Sequence, residues 1–302
     1  MRLAGSGHSA WQEHATIGVR LGHAPSCTGI ATGIGLDCMA LRSQTHEHSE
    51  TTPMANNNSS SKDTYVLVHG AWHTGETLEP TARIIREQGH DVHCPTLAGN
   101  RPGDDYAKLS LQDAIDDLVA YLEKNDLKDV RLMGHSYGGM LISGAAERVP
   151  ERIRRLVYVN AFVPNPGECL ADMTPPNFRE LFDAMNKANN GAVVLPYPIW
   201  REAFINDADG ELAQKAYDVL HPQPYRCFVD PLPLKAPLAA LEIGKSYVNC
   251  VEDTAMPHSL PWHPRLSERL GLFRYVACAG SHESLFTQPE ALAKAIIAAG
   301  RD

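Results

Sequence analysis

The sequence predicts an α/β protein: a mostly parallel sheet with helices on both faces and a small cap inserted near its middle. Three observations carry that expectation. From Thr64 onward, short apolar runs alternate with stretches of helical spacing. The runs are apolar throughout rather than at every second position, as strands buried on both faces require. The alternation then lapses between about 165 and 240, where prolines and aromatic residues gather, and resumes afterwards.

Each element follows from local signals. Residues 64–68 (TYVLV) read as a strand that runs into His69-Gly70. Residues 75–88 have helical spacing with Gly89 as a stop, and residues 91–94 open a second strand that Pro95 closes. Residues 110–124 form an amphipathic helix, with Ser110 placed to cap the turn that leads to Leu111, Ile115, Leu118 and Leu122. Residues 130–133 are the next strand, 138–148 a Gly- and Ala-rich helix, and 156–162 a strand ended by Pro164 and Pro166. Within the insertion, 211–220 is helical. Residues 246–251 and 273–278 are strands, and 289–299 is a closing helix with Pro289 at its start and Gly300 beyond its end.

Residues 1–62 differ in kind. They are rich in Gly, Ser, Thr, His and Asn, lack sustained periodicity and end in an Asn- and Ser-rich run, the pattern of a disordered extension. Neither a secretory leader nor an organelle transit peptide is cleanly written there. Met54 reads as the start of translation, which leaves 63–302 as one folded domain with its cap at about 165–240.

A net charge of −9 argues against nucleic-acid or anionic-membrane partners, which demand clustered Lys and Arg. No run of 18 apolar residues is present, so no membrane-spanning helix is expected. Seven cysteines without regular spacing fit a reducing, cytoplasmic setting. A monomer or homodimer acting on a small molecule is the expectation.

The chemistry is concentrated in a few short segments. Gly134-His135-Ser136-Tyr137-Gly138 matches G-x-S-x-G and stands directly between a strand and a helix, where a nucleophile elbow belongs. A serine hydroxyl needs an adjacent base, held in one tautomer by a carboxylate. His282, in the loop after the last strand, is the candidate base, ahead of His258 and His263. Asp253, after strand 246–251, is the candidate acid, with Glu252 and Asp230 as alternatives. The backbone N–H groups of Ala71 and Tyr137 are the candidate oxyanion donors. His69, Trp72, Tyr197, Trp200 and Phe204 are candidates for the substrate pocket, although each is also an ordinary core residue. His69 and His73 lack the helical H-E-x-x-H context and a third ligand, so neither a metal nor any other cofactor is expected.

With YVLVHGAWH, LMGHSYGGM, VYVNAFVP and AGSHESLFTQPEALAKAI in hand, residues 64–302 resemble the α/β-hydrolase branch that holds plant methylesterases, hydroxynitrile lyases and bacterial pesticide hydrolases. Within it, VHGAWHTGE, GNRPGD and PIWREAFINDAD look most like carbendazim hydrolases, which cleave a methyl carbamate from a benzimidazole. The resemblance puts nucleophile, acid and base on Ser136, Asp253 and His282, and the oxyanion donors on Ala71 and Tyr137. Lyases of the branch carry Thr and Lys where this chain has Gly70 and Glu283. A negative Glu283 beside the base is expected to repel cyanide, which favours hydrolysis over cyanohydrin cleavage. A binder without catalysis is the other alternative. Because His282 must be neutral to act, activity is expected to fall below about pH 6.5, with contact to Asp253 moving that fall lower.

Overall fold

The computed structural model describes residues 62–302. The expected extension, with Met54, lies outside the described residues apart from Lys62. Six parallel strands form the central sheet: β1 (Thr64–Val68), β2 (Asp91–His93), β3 (Val130–His135), β4 (Ile153–Val159), β7 (Gly244–Cys250) and β8 (Arg274–Cys278). Their spatial order is β2-β1-β3-β4-β7-β8. The order therefore reverses between β1 and β3, and open parallel sheets bind ligands at the carboxyl ends of strands at such a switch point.

Two apolar clusters lie on opposite faces of the sheet. One gathers α1 (Glu79–Glu87) and the C-terminal helix Pro289–Gly300 over Tyr65, Leu67, Val157 and Val248. The other joins α2 (Leu111–Lys124) and α3 (Gly138–Arg148) to the cap. Ser110 caps α2 as expected: its Oγ accepts from Asp113 N–H at 3.2 Å, and Asp113 Oδ2 accepts from Ser110 N–H at 2.9 Å.

The cap is richer than its sequence suggested. It carries α4 (Pro176–Ala188), a two-stranded antiparallel pair of β5 (Ala192–Val193) with β6 (Gln223–Pro224), and the helix Gly210–Tyr217, where a helix over 211–220 was expected. Asp209 sets the start of that helix, its Oδ1 accepting from Leu212 N–H at 2.8 Å.

One strand is displaced. The apolar run 156–162 reads as extended throughout, yet β4 ends at Val159. Asn160 has φ +36° and turns the chain out of the sheet, and Phe162 N–H then donates to Ser136 O at 3.1 Å. Ala161, Phe162 and Val163 are buried by packing under the site, not by strand pairing.

Candidate active site

The elbow is built by close approach of backbone. A Cβ on Gly134 would lie 2.6 Å from the Gly138 carbonyl carbon, and one on Gly139 would lie 2.2 Å from Phe162 O. No side chain fits either gap. Between them Ser136 sits at φ +53°, a left-handed conformation that a non-glycine residue holds only under constraint. The constraint is visible: Ser136 N–H donates to Val159 O at 3.2 Å, and Ser136 O accepts from Gly139 and Phe162.

His282 and Asp253 arrive from the loops after β8 and β7. Asp253 Oδ2 lies 2.6 Å from His282 Nδ1, and both side chains are 1% exposed. Asp253 is further held by Ala255 N–H at 2.7 Å on Oδ1 and by Asn160 Nδ2 on Oδ2. Asn160 is itself pinned to β7, its Oδ1 accepting from Cys250 N–H at 2.7 Å. Glu252 is exposed, and Asp230 pairs with Arg226 in the cap at 3.0 Å, so neither alternative acid meets His282. His258 and His263 do not approach Ser136; His263 Nδ1 instead lies 2.7 Å from Ser267 Oγ.

Burial alone would lower the His282 pKa, but the charge and hydrogen bond of Asp253, with help from Glu283, outweigh it and raise it above 6.5. The direction corrects the sequence reading. A carboxylate beside an imidazole stabilises its protonated form, so the acidic fall in activity moves up in pH, not down. His135, next to Ser136, is driven by burial down to about 3 and stays neutral; its Nε2–H donates to His282 O at 2.9 Å. Neutral His135 thereby ties the nucleophile turn to the base loop.

Ser136 and His282 both face a small apolar cavity, walled by Phe162, Phe178, Phe182, Phe228 and Trp262 among others. Trp72 and Phe204 line it as expected. His69, Tyr197 and Trp200 do not. His69 is fully buried behind the Gly70-Ala71 turn, where burial lowers its pKa to about 4; its Nδ1–H donates to Gly70 O at 2.9 Å and its Nε2 accepts from Leu97 N–H at 3.2 Å. Trp200 is buried in the cap and donates to Ala213 O at 2.9 Å, with Tyr197 one layer further out against Tyr217. Aromatic content marked the cap correctly, but only helix register decides which rings face inward.

Sequence reasoning missed Asn160, Trp262 and the phenylalanines of α4. Trp262 stacks on His282 with ring centroids 5.2 Å apart and planes 14° from parallel. The quoted VYVNAF held the signal for Asn160: a lone polar residue at the end of an apolar strand, facing the expected acid loop.

Ser136 also borders a tightly packed gap, too small for a water molecule, formed with Gly70, Ala71, His73, His135, His282 and Glu283. A Cβ at Gly70 would stand 2.9 Å from His135 Nδ1 and 3.3 Å from Ser136 Cβ, so the glycine lets these side chains pack this closely. Glu283 is not the free negative charge the sequence suggested: it is 1% exposed, with Oε2 3.1 Å from His73 Nε2.

The segment 203–207 of the cap is stitched to the loops that carry His282 and Asp253. Glu283 N–H donates to Phe204 O at 3.3 Å, Thr254 Oγ1 to Ala203 O at 3.0 Å, and Asn206 Nδ2 to Glu252 O at 3.1 Å. Asp207 Oδ2 accepts from Ser281 N–H at 3.2 Å and Thr287 Oγ1 at 2.7 Å.

A serine in a strained strand-to-helix turn, beside a buried His–Asp pair at the end of a parallel sheet, is the arrangement of a hydrolase scaffold. Residues 65–295 match the family model described as alpha/beta hydrolase family, and the chain belongs to that family. It is 44% identical over 113 residues to a carbendazim hydrolyzing esterase of Nocardioides sp., a match covering 37% of this chain and 47% of that protein. The match thus spans under half of that relative. To a pyrethroid hydrolase of Sphingobium wenxiniae it is 29% identical over 252 residues, covering 76% of this chain and 85% of that one. Among solved structures, an extracellular alpha/beta-hydrolase from a Paenibacillus species superposes with a TM-score of 0.76 at 36% identity, covering 80% of this chain and all of the other. That protein is described as sharing structural and functional homology with tobacco salicylic acid-binding protein 2. Esterases recur among the relatives, and a hydrolase acting on small molecules is the class they define.

Proposed function

We propose that the protein is a serine hydrolase that cleaves the ester or methyl carbamate of a small, uncharged aromatic molecule, using Ser136, His282 and Asp253 and no cofactor. The observation that carries this reading is the 2.6 Å contact of Asp253 with His282, on the wall of the cavity that Ser136 also faces. Asp253 fixes the proton of His282 on Nδ1, which leaves Nε2 free to take the hydroxyl proton of Ser136. Ser136 Oγ then adds to the substrate carbonyl carbon, and the N–H groups of Ala71 and Tyr137 donate to the oxygen as it becomes negative. His282 returns the proton to the leaving oxygen, and an acyl-serine remains. Water, deprotonated by the same imidazole, releases the acyl group and restores Ser136.

The substrate class rests on the cavity wall. Among the described residues, its polar side chains apart from Ser136 and His282 are Thr174 and those of Tyr137, Trp72 and Trp262, and no lysine, arginine, aspartate or glutamate lines it. An ionised substrate would be desolvated there without a counter-charge, which costs several kcal/mol. Aromatic rings offer a neutral ring apolar contact and stacking. The relatives named for hydrolysing carbendazim and pyrethroids support the same reading.

The test is mass-spectrometric turnover of carbendazim and a panel of aryl methyl esters by wild type and Ser136→Ala. Release of 2-aminobenzimidazole by the wild type alone supports both mechanism and carbamate. Ester turnover without carbamate turnover keeps the mechanism and discards the carbamate. Turnover that survives in Ser136→Ala overturns the nucleophile, and no turnover of any member leaves a binding protein as the better reading.

A further inference from the structure

The tightly packed gap beside Ser136 holds an arrangement that the acyl-transfer steps above do not use. Glu283 is buried, and neither of its carboxylate oxygens receives a well-formed hydrogen bond among the described residues. His73 Nε2 and His135 Nδ1 are likewise buried without a hydrogen-bond partner. The 3.1 Å approach of His73 Nε2 to Glu283 Oε2 is close but poorly aligned. A carboxylate buried for structural reasons is normally wrapped in donors, because leaving its lone pairs bare in a dry interior is costly. Glu283 instead faces three imidazoles, those of His73, His135 and His282.

His73 Nδ1 lies 2.6 Å from Ala71 O and must donate to that carbonyl. That bond fixes the ring and turns Nε2 toward Glu283 Oε2 at 3.1 Å. The pair links two loops. On one side is the turn after β1 that bears Ala71 N–H; on the other is the loop after β8 that bears His282.

We infer that Glu283, paired with His73, is a positioning residue for acyl transfer: it fixes the oxyanion turn against the base loop and steadies the imidazolium that His282 becomes when Ser136 is deprotonated. His282 then stands between two carboxylates, Asp253 on its Nδ1 side and Glu283 across the gap, with the neutral ring of His135 packed 4.8 Å from it. Asp253 orients the ring through a direct bond; Glu283 acts through space and through His73. The inference rests on the serine mechanism proposed above.

The experiment is Glu283→Gln, which keeps the side-chain volume, read in three ways against the wild type and Ser136→Ala. An alkyl fluorophosphonate reports activated Ser136 without need of the true substrate, since Ser136 Oγ displaces fluoride from phosphorus while His282 takes the proton. The pH dependence of that labelling and of ester turnover reports His282. Histidine ¹⁵N shifts report its protonation without any reaction. The expected result is a fall in labelling rate and kcat on the order of tenfold with KM little changed, and a His282 midpoint displaced to lower pH by both readouts. His73→Gln is expected to produce a similar loss, and the double variant no more than either single one, as members of one unit behave. An unchanged His282 midpoint, or losses that multiply in the double variant, overturns the inference while the serine mechanism stands. Labelling that persists in Ser136→Ala overturns the mechanism beneath it. Should Glu283→Gln fail to fold, His73→Gln tests the pair from the other side: it strips Glu283 of its imidazole partner, so the His282 midpoint is expected to move to higher pH, and an unmoved midpoint overturns the inference.

Discussion

The two sides of the cleft are made by different means. Below it, the ends of β3, β7 and β8 deliver Ser136, Asp253 and His282 from a sheet in which backbone meets backbone, and a Cβ at Gly139 would already collide with Phe162 O. Above it, the cap is a patchwork of short elements whose contribution is ring surface: Phe182 stacks on Phe228 with centroids 4.4 Å apart, and Trp72 packs against both Phe204 and Phe228. Reactive groups thus ride on the part of the fold with least conformational freedom. The recognition surface rides on the part whose side chains can be exchanged without moving a strand.

That division is open to direct test, and the largest effect belongs to the sheet side. Ser136→Ala is expected to lower kcat by on the order of a thousandfold to a millionfold with the thermal midpoint almost unchanged; a loss below tenfold in a turnover assay would break the division at its centre. Next comes Asn160→Ala, which removes a donor from Asp253 and the anchor to Cys250. A hydrogen bond to a charged group is worth about 1.5–3 kcal/mol, so kcat/KM is expected to fall about tenfold to a hundredfold, and progress curves that match wild type would show Asp253 to be held without it.

The pH profile sharpens the comparison further. In the proposed mechanism His282 acts as the neutral base, and Asp253 outweighs burial to raise its pKa above 6.5. Below that raised midpoint, kcat/KM is expected to fall about tenfold per pH unit. A flat profile from pH 5 to 8, with chemistry limiting, would remove His282 from the base role. The smallest effect belongs to the cap: Phe182→Leu loosens the stacked pair and is expected to change KM about two- to tenfold, with kcat close to wild type. If kcat moved as much as KM, the cap would be shaping the reaction and not only the fit.

The same division explains what the sequence disclosed. Ser136, His282 and Asp253 were legible because each stands at a strand end, and a run such as TYVLV or VRLM announces its own end at the glycine or polar residue that follows. Ala71 and Tyr137 were named as oxyanion donors from their neighbours in the same way. The cap resisted because its elements are too short for periodicity to build up: β5 and β6 have two residues each, and α4 opens with prolines that read as loop. Trp200 and Tyr197 were equal to Phe204 as letters, yet of the five pocket candidates Phe204 and Trp72 reach the cavity and the other three do not. Asn160 was hidden inside an apolar run whose last residues are buried by the site and not by the sheet. Glu283 was seen as a charge but not as half of a pair, because its partner His73 is 210 positions away in the chain.

The segment 203–207 gives the cap a role in any attempt to redesign this protein. Phe204 and Asp207 hold the loop of His282, and Ala203 and Asn206 hold the loop of Asp253. A cap grafted whole from a relative would sever these seams and let the base and its acid drift, whatever pocket it brought. A chimera that retains 203–207 and exchanges only the surrounding helices would carry a new specificity on an undisturbed catalytic frame.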